Sequence, residues 1–197
     1  MRSLVITQNI TVDGAVEMLG DWFSAQGQGD QDDLLAEMAQ QRATADALLL
    51  GRRTFEDMRG YWPGLTDDAT GVGASLDGVD KYVVSTTMGD PDWERTTVID
   101  GDPVAGVREL TELDGGDIVV TGSIQLCHAL VVAGLVDEYR LFVYPVVQGR
   151  GRGLFPDGTE MSLRLVESRA FRCGITSVRY RTRARGERER QSAVSTS

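Results

Sequence analysis

The chain has 197 residues, is 41% hydrophobic and carries a formal charge of −10 with a single histidine; that length supports one buried core and gives little reason to expect two domains. No stretch approaches the roughly 18 uninterrupted apolar residues of a membrane helix, and the N-terminus lacks a basic segment followed by an apolar one, so a cytoplasmic protein without a membrane partner is expected. Residues 181–190 hold five arginines against two glutamates, which leaves −13 on residues 1–180; such a body repels nucleic acid, and any anionic ligand must be met by locally placed arginines or backbone amides.

Residues Ser3 to Ile10 (SLVITQNI) are rich in branched side chains and run into Val12-Asp13-Gly14, which reads as a strand followed by a turn. From Asp32 to Ala43 the apolar positions Leu34, Leu35, Met38 and Ala39 recur at helical spacing, and Asp30, Asp32 and Asp33 crowd the start, where a helix dipole favours negative charge. Ala47 to Leu50 is a short apolar run closed by Gly51, as expected of a strand buried on both faces, and a second helix opens at Arg52. Lys81 to Ser85, Thr96 to Ile99 and Ile118 to Thr121 read as further strands, with a helix from about Val104 to Leu113 between the last two. Such alternation indicates an α/β sheet with right-handed crossovers.

Ile124 to Ala133 reads as a mostly buried helix ended by Gly134. The pattern then changes: Glu138 to Val147, Ser162 to Arg169 and Arg172 to Arg181 read as three long strands without intervening helices, so the sheet should finish with antiparallel pairing at one edge. One domain over residues 1–182 is followed by a polar tail, 183–197, whose composition predicts disorder. Cys127, Cys173 and His128 match no metal-ligand spacing, and no metal site is expected.

Chemistry is best sought at Gly51-Arg52-Arg53-Thr54-Phe55-Glu56, between a strand and a helix start. A helix N-terminus presents unpaired N–H groups and a positive pole, and glycine lets a phosphate approach the backbone. Arg52 and Arg53 would add charge-assisted donors. The same spacing also fits a tight turn with two arginines on a solvated helix face. Asp32 and Asp33 fit helix caps as well as site carboxylates, and Asp13 fits a turn residue as well as part of a loop over a ligand. Gly71-Val72-Gly73 and Gly149-Arg150-Gly151 lack the full dinucleotide fingerprint, and no Walker sequence is present.

The string LLLGRRTFE (residues 48–56) resembles the strand-to-helix signature of dihydrofolate reductase, a Gly-Arg-x-Thr-aromatic-Glu segment that binds NADPH phosphates. Val83 to Thr87 (VVSTT) resembles that family's strand and loop beside the adenosine phosphate. Val120-Thr121-Gly122-Ser123 resembles the segment that meets the cofactor before a helix. SLVITQNITVDG resembles the start shared with the reductase half of the bacterial riboflavin-synthesis enzyme (the RibD C-terminal domain), and LVDEYRLFVYPVVQGRGRGLF is closer to that group. The matches run in order from about residue 3 to residue 180. The family has two glycines where this chain has Gly122-Ser123, and the serine would turn its hydroxyl toward a phosphate. The His-x-Glu and Pro-Cys-x-x-Cys strings of the companion zinc deaminase are absent, so a free-standing reductase is expected.

The resemblance implies a three-layer dihydrofolate reductase-like α/β fold with a central mixed sheet, helices on both faces and an antiparallel C-terminal edge. It implies NADPH held by Gly51, Arg52, Arg53, Thr54, Ser85, Thr86, Thr87, Gly122, Ser123 and Ile124, and it implies a homodimer. Hydride would pass to a small heterocycle, with 5-amino-6-(5-phosphoribosylamino)uracil the first expectation. A dihydropterin substrate, or an NADPH-binding sensor or interaction protein without catalysis, are the alternatives. General acid work falls to an aspartate or a bound water, with Asp33 the first candidate and Asp13 the second.

Overall fold

A computed structural model describes residues 1–23, 29–63, 65, 67, 68 and 70–183; the polar tail, apart from Arg183, lies outside the described residues. Eight strands form one sheet: β1 (Leu4–Thr11), β2 (Ala45–Gly51), β3 (Asp80–Val84), β4 (Thr96–Ile99), β5 (Asp117–Gly122), β6 (Glu138–Tyr144), β7 (Leu163–Ala170) and β8 (Thr176–Thr182). Their order is β4-β3-β2-β5-β1-β6-β8-β7. The first six in that order run parallel, β8 is antiparallel to β6, and β7 is antiparallel to β8. Helices α1 (Asp32–Arg42), α2 (Arg52–Tyr61), α3 (Val72–Gly78), α4 (Pro103–Glu112) and α5 (Ile124–Val132) make the connections. Among the described residues no helix is long and apolar enough to cross a membrane.

Alternation along the strands splits the core into two layers. Leu4, Ile6, Leu49, Ile118 and Val120 point to one face and pack with Val107 and Leu110 of α4 and Leu126 and Leu130 of α5. Leu48, Leu50 and Val83 point to the other and pack with Phe55 of α2 and Leu76 of α3. Further along that second face, Phe142 and Tyr144 of β6 meet Leu34 of α1, Trp22, Phe171 and Ile175. The three-layer architecture and the antiparallel edge are those expected from the chain pattern and the resemblance.

Three details depart from the sequence expectation, the first being that the last strand begins at Thr176 rather than Arg172, after a turn in which the Gly174 N–H donates to the Phe171 carbonyl at 2.9 Å. The strand from Glu138 stops at Tyr144 because Pro145 has no N–H for the ladder. Helix α3 was not anticipated in a glycine-containing stretch; it begins behind Gly71 at φ 67°. The Asp68 carboxylate, accepting from the Gly73 and Thr70 N–H groups at 2.7 and 2.9 Å, and the burial of Leu76 hold it; the first is a local side-chain contact and the second a tertiary effect.

The chain leaves β1 toward β2, β3 and β4, returns to lay β5 beside β1, and then moves to β6 on the opposite side. In an open sheet of this kind, ligands bind beyond the carboxyl ends of the strands where the winding reverses. Here that place lies beyond β2, β5 and β1.

Candidate active site

Three of the segments singled out in the sequence meet at this edge. Leu50 of β2 is in register with Gly122 of β5, and Gly51 with Val84 of β3. The turns Gly51–Thr54, Gly122–Ile124 and Ser85–Thr87 therefore follow three adjacent strands at the same level. Neighbouring strands lie about 4.8 Å apart, so the row extends for roughly 10 Å.

The middle of the row is formed by two helix N-termini. Gly51 is the N-cap of α2 in an extended conformation (φ −78°, ψ 153°); no side chain caps the helix and no acidic residue occupies its first turn. Ser123 is the N-cap of α5 and its hydroxyl accepts from the Leu126 N–H at 3.4 Å. The two ends abut so closely that a Cβ placed on Gly51 would fall on the Ser123 Oγ and lie 3.3 Å from the Ser123 nitrogen. A Cβ on Gly122, whose φ is +154°, would lie 2.9 Å from Thr54 Oγ1. Both glycines are thus required for one helix end to reach the other. The Gly122–Ser123 peptide is cis.

The flanking groups differ in freedom. Arg52 and Arg53 are both exposed, but Arg52 lies 3.6 Å from Glu56 one turn along α2, while Arg53 has no ion pair or hydrogen bond among the described residues. Ser85 is buried, and its hydroxyl oxygen accepts from the Thr87 and Met88 N–H groups at 3.2 and 3.0 Å. It shapes the turn and leaves Thr86 and Thr87 exposed.

The two aspartates are engaged elsewhere. Asp13 accepts from Thr11 Oγ1 at 2.6 Å, Gly149 N at 2.7 Å and Gln148 N at 3.1 Å, pinning the turn after β1 to the glycine-rich loop after β6. The Thr11 hydroxyl first, then the two backbone donors, bring its pKa down to about 2. Asp33 accepts from the Arg172 and Leu34 N–H groups at 3.2 and 3.0 Å and sits 3.5 Å from the Arg172 guanidinium. Desolvation works to raise its pKa, but the Arg172 N–H and charge and the Leu34 N–H together hold it below the usual carboxylate range. Neither residue lines the cavity described next.

Against the face of the sheet that carries α1, α2 and α3, reaching from the amino ends of β2 and β3 to the middle of the strands, lies a cavity of about 180 Å³, room for one small ring system rather than a dinucleotide. Thr121, the residue before Gly122, lines it together with Thr7 of β1, Met38 and Gln41 of α1, Met58 of α2 and Phe142 of β6. Its lining contains no carboxylate. Thr7 in the middle of β1 and Thr121 near the end of β5 interrupt the apolar character of their strands, a signal that could have marked them from sequence alone. Gln41 gave none, because on a helical wheel it is one polar residue among several.

An α/β protein with paired helix ends at the carboxyl edge of its sheet, and a separate apolar cavity beneath, has the dihydrofolate reductase-like fold. The chain belongs to the RibD C-terminal domain family, whose profile matches residues 2–177. It is similar to two proteins of Bacillus subtilis (strain 168) of uncharacterised function. YyaP is 29% identical over 185 residues, covering 91% of this chain and 94% of YyaP; YwjB is 27% identical over 161 residues, covering 81% and 82%. Two solved structures share the fold at 16% identity. A candidate riboflavin biosynthesis protein from Shewanella sp. PV-4 superposes with a TM-score of 0.68 over 92% of this chain and 99% of its own. A pyrimidine reductase-like protein from Corynebacterium diphtheriae superposes with a TM-score of 0.66 over 93% and 92%.

Proposed function

We propose that the protein is an NADPH-dependent reductase of a small nitrogen heterocycle, of the kind that reduces 5-amino-6-(5-phosphoribosylamino)uracil. The observation that carries this reading is the abutment of the α2 and α5 N-termini across Gly51 and Gly122, with a first turn that no side chain caps and with Arg53, unpaired among the described residues, at its mouth. Two positive helix poles and free N–H groups fit a pyrophosphate, and they supply the attraction that a chain of charge −10 otherwise lacks. The row from Ser123 through Gly51 to Thr86 and Thr87 would carry a dinucleotide across three strands, with its reactive ring toward Thr7 and Thr121. NADPH when bound supplies the hydride; the protein supplies position and exclusion of water.

Arg52, Arg53, Thr86 and Thr87 surround the place expected for the adenosine phosphate, which favours NADPH over NADH by about 1.5 to 3 kcal/mol for one charge-assisted contact. With Asp13 and Asp33 both held in their charged forms and away from the cavity, proton delivery falls to a bound water. The absence of a carboxylate from the cavity lining favours a pyrimidine over a pterin substrate. Titration of NADPH and NADH, followed by tryptophan emission, tests the reading: equal affinities, or no binding of either, would remove it. Turnover of a pyrimidine ribotide distinguishes the enzyme from a cofactor-binding sensor.

A further inference from the structure

The cavity has a second end, at the amino edge of the sheet. There Arg42 at the end of α1, Ala45 and Asp46 at the start of β2, and Ser75 and Gly78 of α3 border an open groove. Arg42, Ala45, Ser75 and Val79 line both the groove and the cavity, so the groove is the cavity's vestibule. Strand β2 runs from Ala45 to Gly51; at about 3.3 Å per residue the groove lies roughly 20 Å from the helix ends at Gly51 and Gly122. An anion held here is therefore not a phosphate of a cofactor held there.

Two charged side chains border the groove, and they are not equally engaged. Asp46 pairs with Arg2 and accepts from the Gly116 N–H at 2.7 Å. Arg42 is half-buried, gives Nη2 to the Thr70 carbonyl at 2.9 Å and has no ion pair among the described residues. Burial lowers its pKa, and the charge of Asp68 works the other way, but that carboxylate is already taken by the Gly73 and Thr70 N–H groups and the Thr70 hydroxyl. A guanidinium carries five N–H donors and no acceptor, so Arg42 keeps donors for an anion at the groove. Behind it the walls are apolar, with Met38, Leu48, Met58, Leu76 and Phe142 among them. The Gln41 amide is no rival to Arg42, since its nitrogen donates to Glu37 Oε1 at 2.8 Å and its oxygen is sealed from the surface. An apolar cavity of about 150 Å³ takes a benzene ring, and this one has about 180 Å³.

We propose that the amino-edge groove and the adjoining part of the cavity form a second small-molecule site, which takes an aromatic carboxylate: one apolar ring among Met38, Met58 and Leu76, and the carboxylate in the groove accepting from Arg42. The ring supplies the burial that the walls reward, and the carboxylate gives the half-buried guanidinium the charge-assisted hydrogen bonds it lacks. A ribotide is selected against, because its sugar hydroxyls would exchange water for apolar walls without partners. An amine is selected against by Arg42 itself. This site is additional to the cofactor edge and does not depend on the reductase reading.

The test uses the full chain, calorimetry at fixed ionic strength, and three probes that share a ring and differ in charge: 3-phenylpropionate, 3-phenylpropan-1-ol and 3-phenylpropylamine. The acid should bind at least tenfold more tightly than the alcohol, and the amine more weakly than either. In Arg42→Gln, which keeps a polar side chain and removes the charge, the dissociation constant of the acid should rise at least tenfold, about 1.4 kcal/mol, while that of the alcohol is unchanged. In the unaltered protein, with methionine methyls labelled, the Met38 and Met58 resonances should shift on addition of 3-phenylpropionate, a readout that holds if the variant folds poorly. Failure of the unaltered protein to bind 3-phenylpropionate, equal affinities for acid and alcohol, equal losses for both in Arg42→Gln, or silent Met38 and Met58 methyls would each overturn the proposal. Displacement of the acid by NADPH would also overturn it, because the carboxylate would then sit among the phosphate groups at the opposite edge.

Discussion

At the scale of single residues, the two arginines of the Gly51 turn should behave differently although they are adjacent and both exposed. Successive helix positions point about 100° apart, so they cannot serve one phosphate equally. Arg52 is drawn along the helix toward Glu56, whereas Arg53 has no partner among the described residues. Arg53→Ala should therefore raise the NADPH dissociation constant at least tenfold, about 1.4 kcal/mol, and Arg52→Ala should change it little. Calorimetry at fixed ionic strength decides this, and equal losses would show that both arms share the ligand. The glycine beside them has a second reason that the motif did not reveal: it admits not only a phosphate but Ser123 itself. Cys127, the buried thiol on α5, is no rival nucleophile, since burial pushes its pKa up to about 12.

At the scale of elements, α1 and the antiparallel edge are joined to the sheet by charge as much as by apolar contact. Glu138 of β6 is buried and accepts from Arg140 Nε at 2.7 Å, Arg181 Nε at 2.9 Å and Arg179 Nη2 at 3.1 Å. Arg140 continues to Asp117 of β5 at 2.6 Å. Removing Glu138 takes from the buried Arg140 one of its two carboxylate partners and leaves it with Asp117 alone, so Glu138→Ala should lose up to about 3–5 kcal/mol of stability, measured by denaturant unfolding. Burial tends to raise the Glu138 pKa, but the hydrogen bonds from Arg140 and Arg181 and the surrounding positive charge bring it below its ordinary value. A depressed carboxylate favours the folded state fully above its unfolded pKa, near 4.3, and that contribution fades as pH falls toward the folded value. The melting temperature should accordingly drop between about pH 5 and pH 3, and less steeply in Glu138→Gln. An identical slope in the two proteins would show that this network does not govern acid stability.

At the scale of the whole molecule, the sheet has an unprotected side. Strand β7 is exposed along nearly its whole length, with Leu165 51% and Val166 38% exposed, and among the described residues its outer edge pairs with no other strand. Exposed apolar edges invite pairing, and we propose that this edge contributes to a homodimer. Sedimentation equilibrium should give twice the chain mass, and Val166→Lys should shift the balance toward monomer; a monomer at all concentrations would refute the proposal.

The sequence by itself determined the order of the elements other than α3, the α/β class and the turn that opens α2, because each depends on local periodicity and on glycine or branched residues at fixed positions. The RRTF segment after Gly51 and the Gly122-Ser123 pair were legible for the same reason, as strand-to-helix junctions. Only the tertiary structure decided what those junctions do to each other. Gly51 meets Ser123, and Gly122 meets Thr54, across more than 65 residues of chain, and no local pattern encodes that approach. It likewise took Asp13 and Asp33 into contacts with Gln148, Gly149 and Arg172, since a carboxylate in a turn takes whichever N–H groups the fold brings near. It also left Gln41 Oε1 without a donor, because burial and the direction of an amide are set by long-range neighbours such as Arg169 rather than by the helix on which the residue lies.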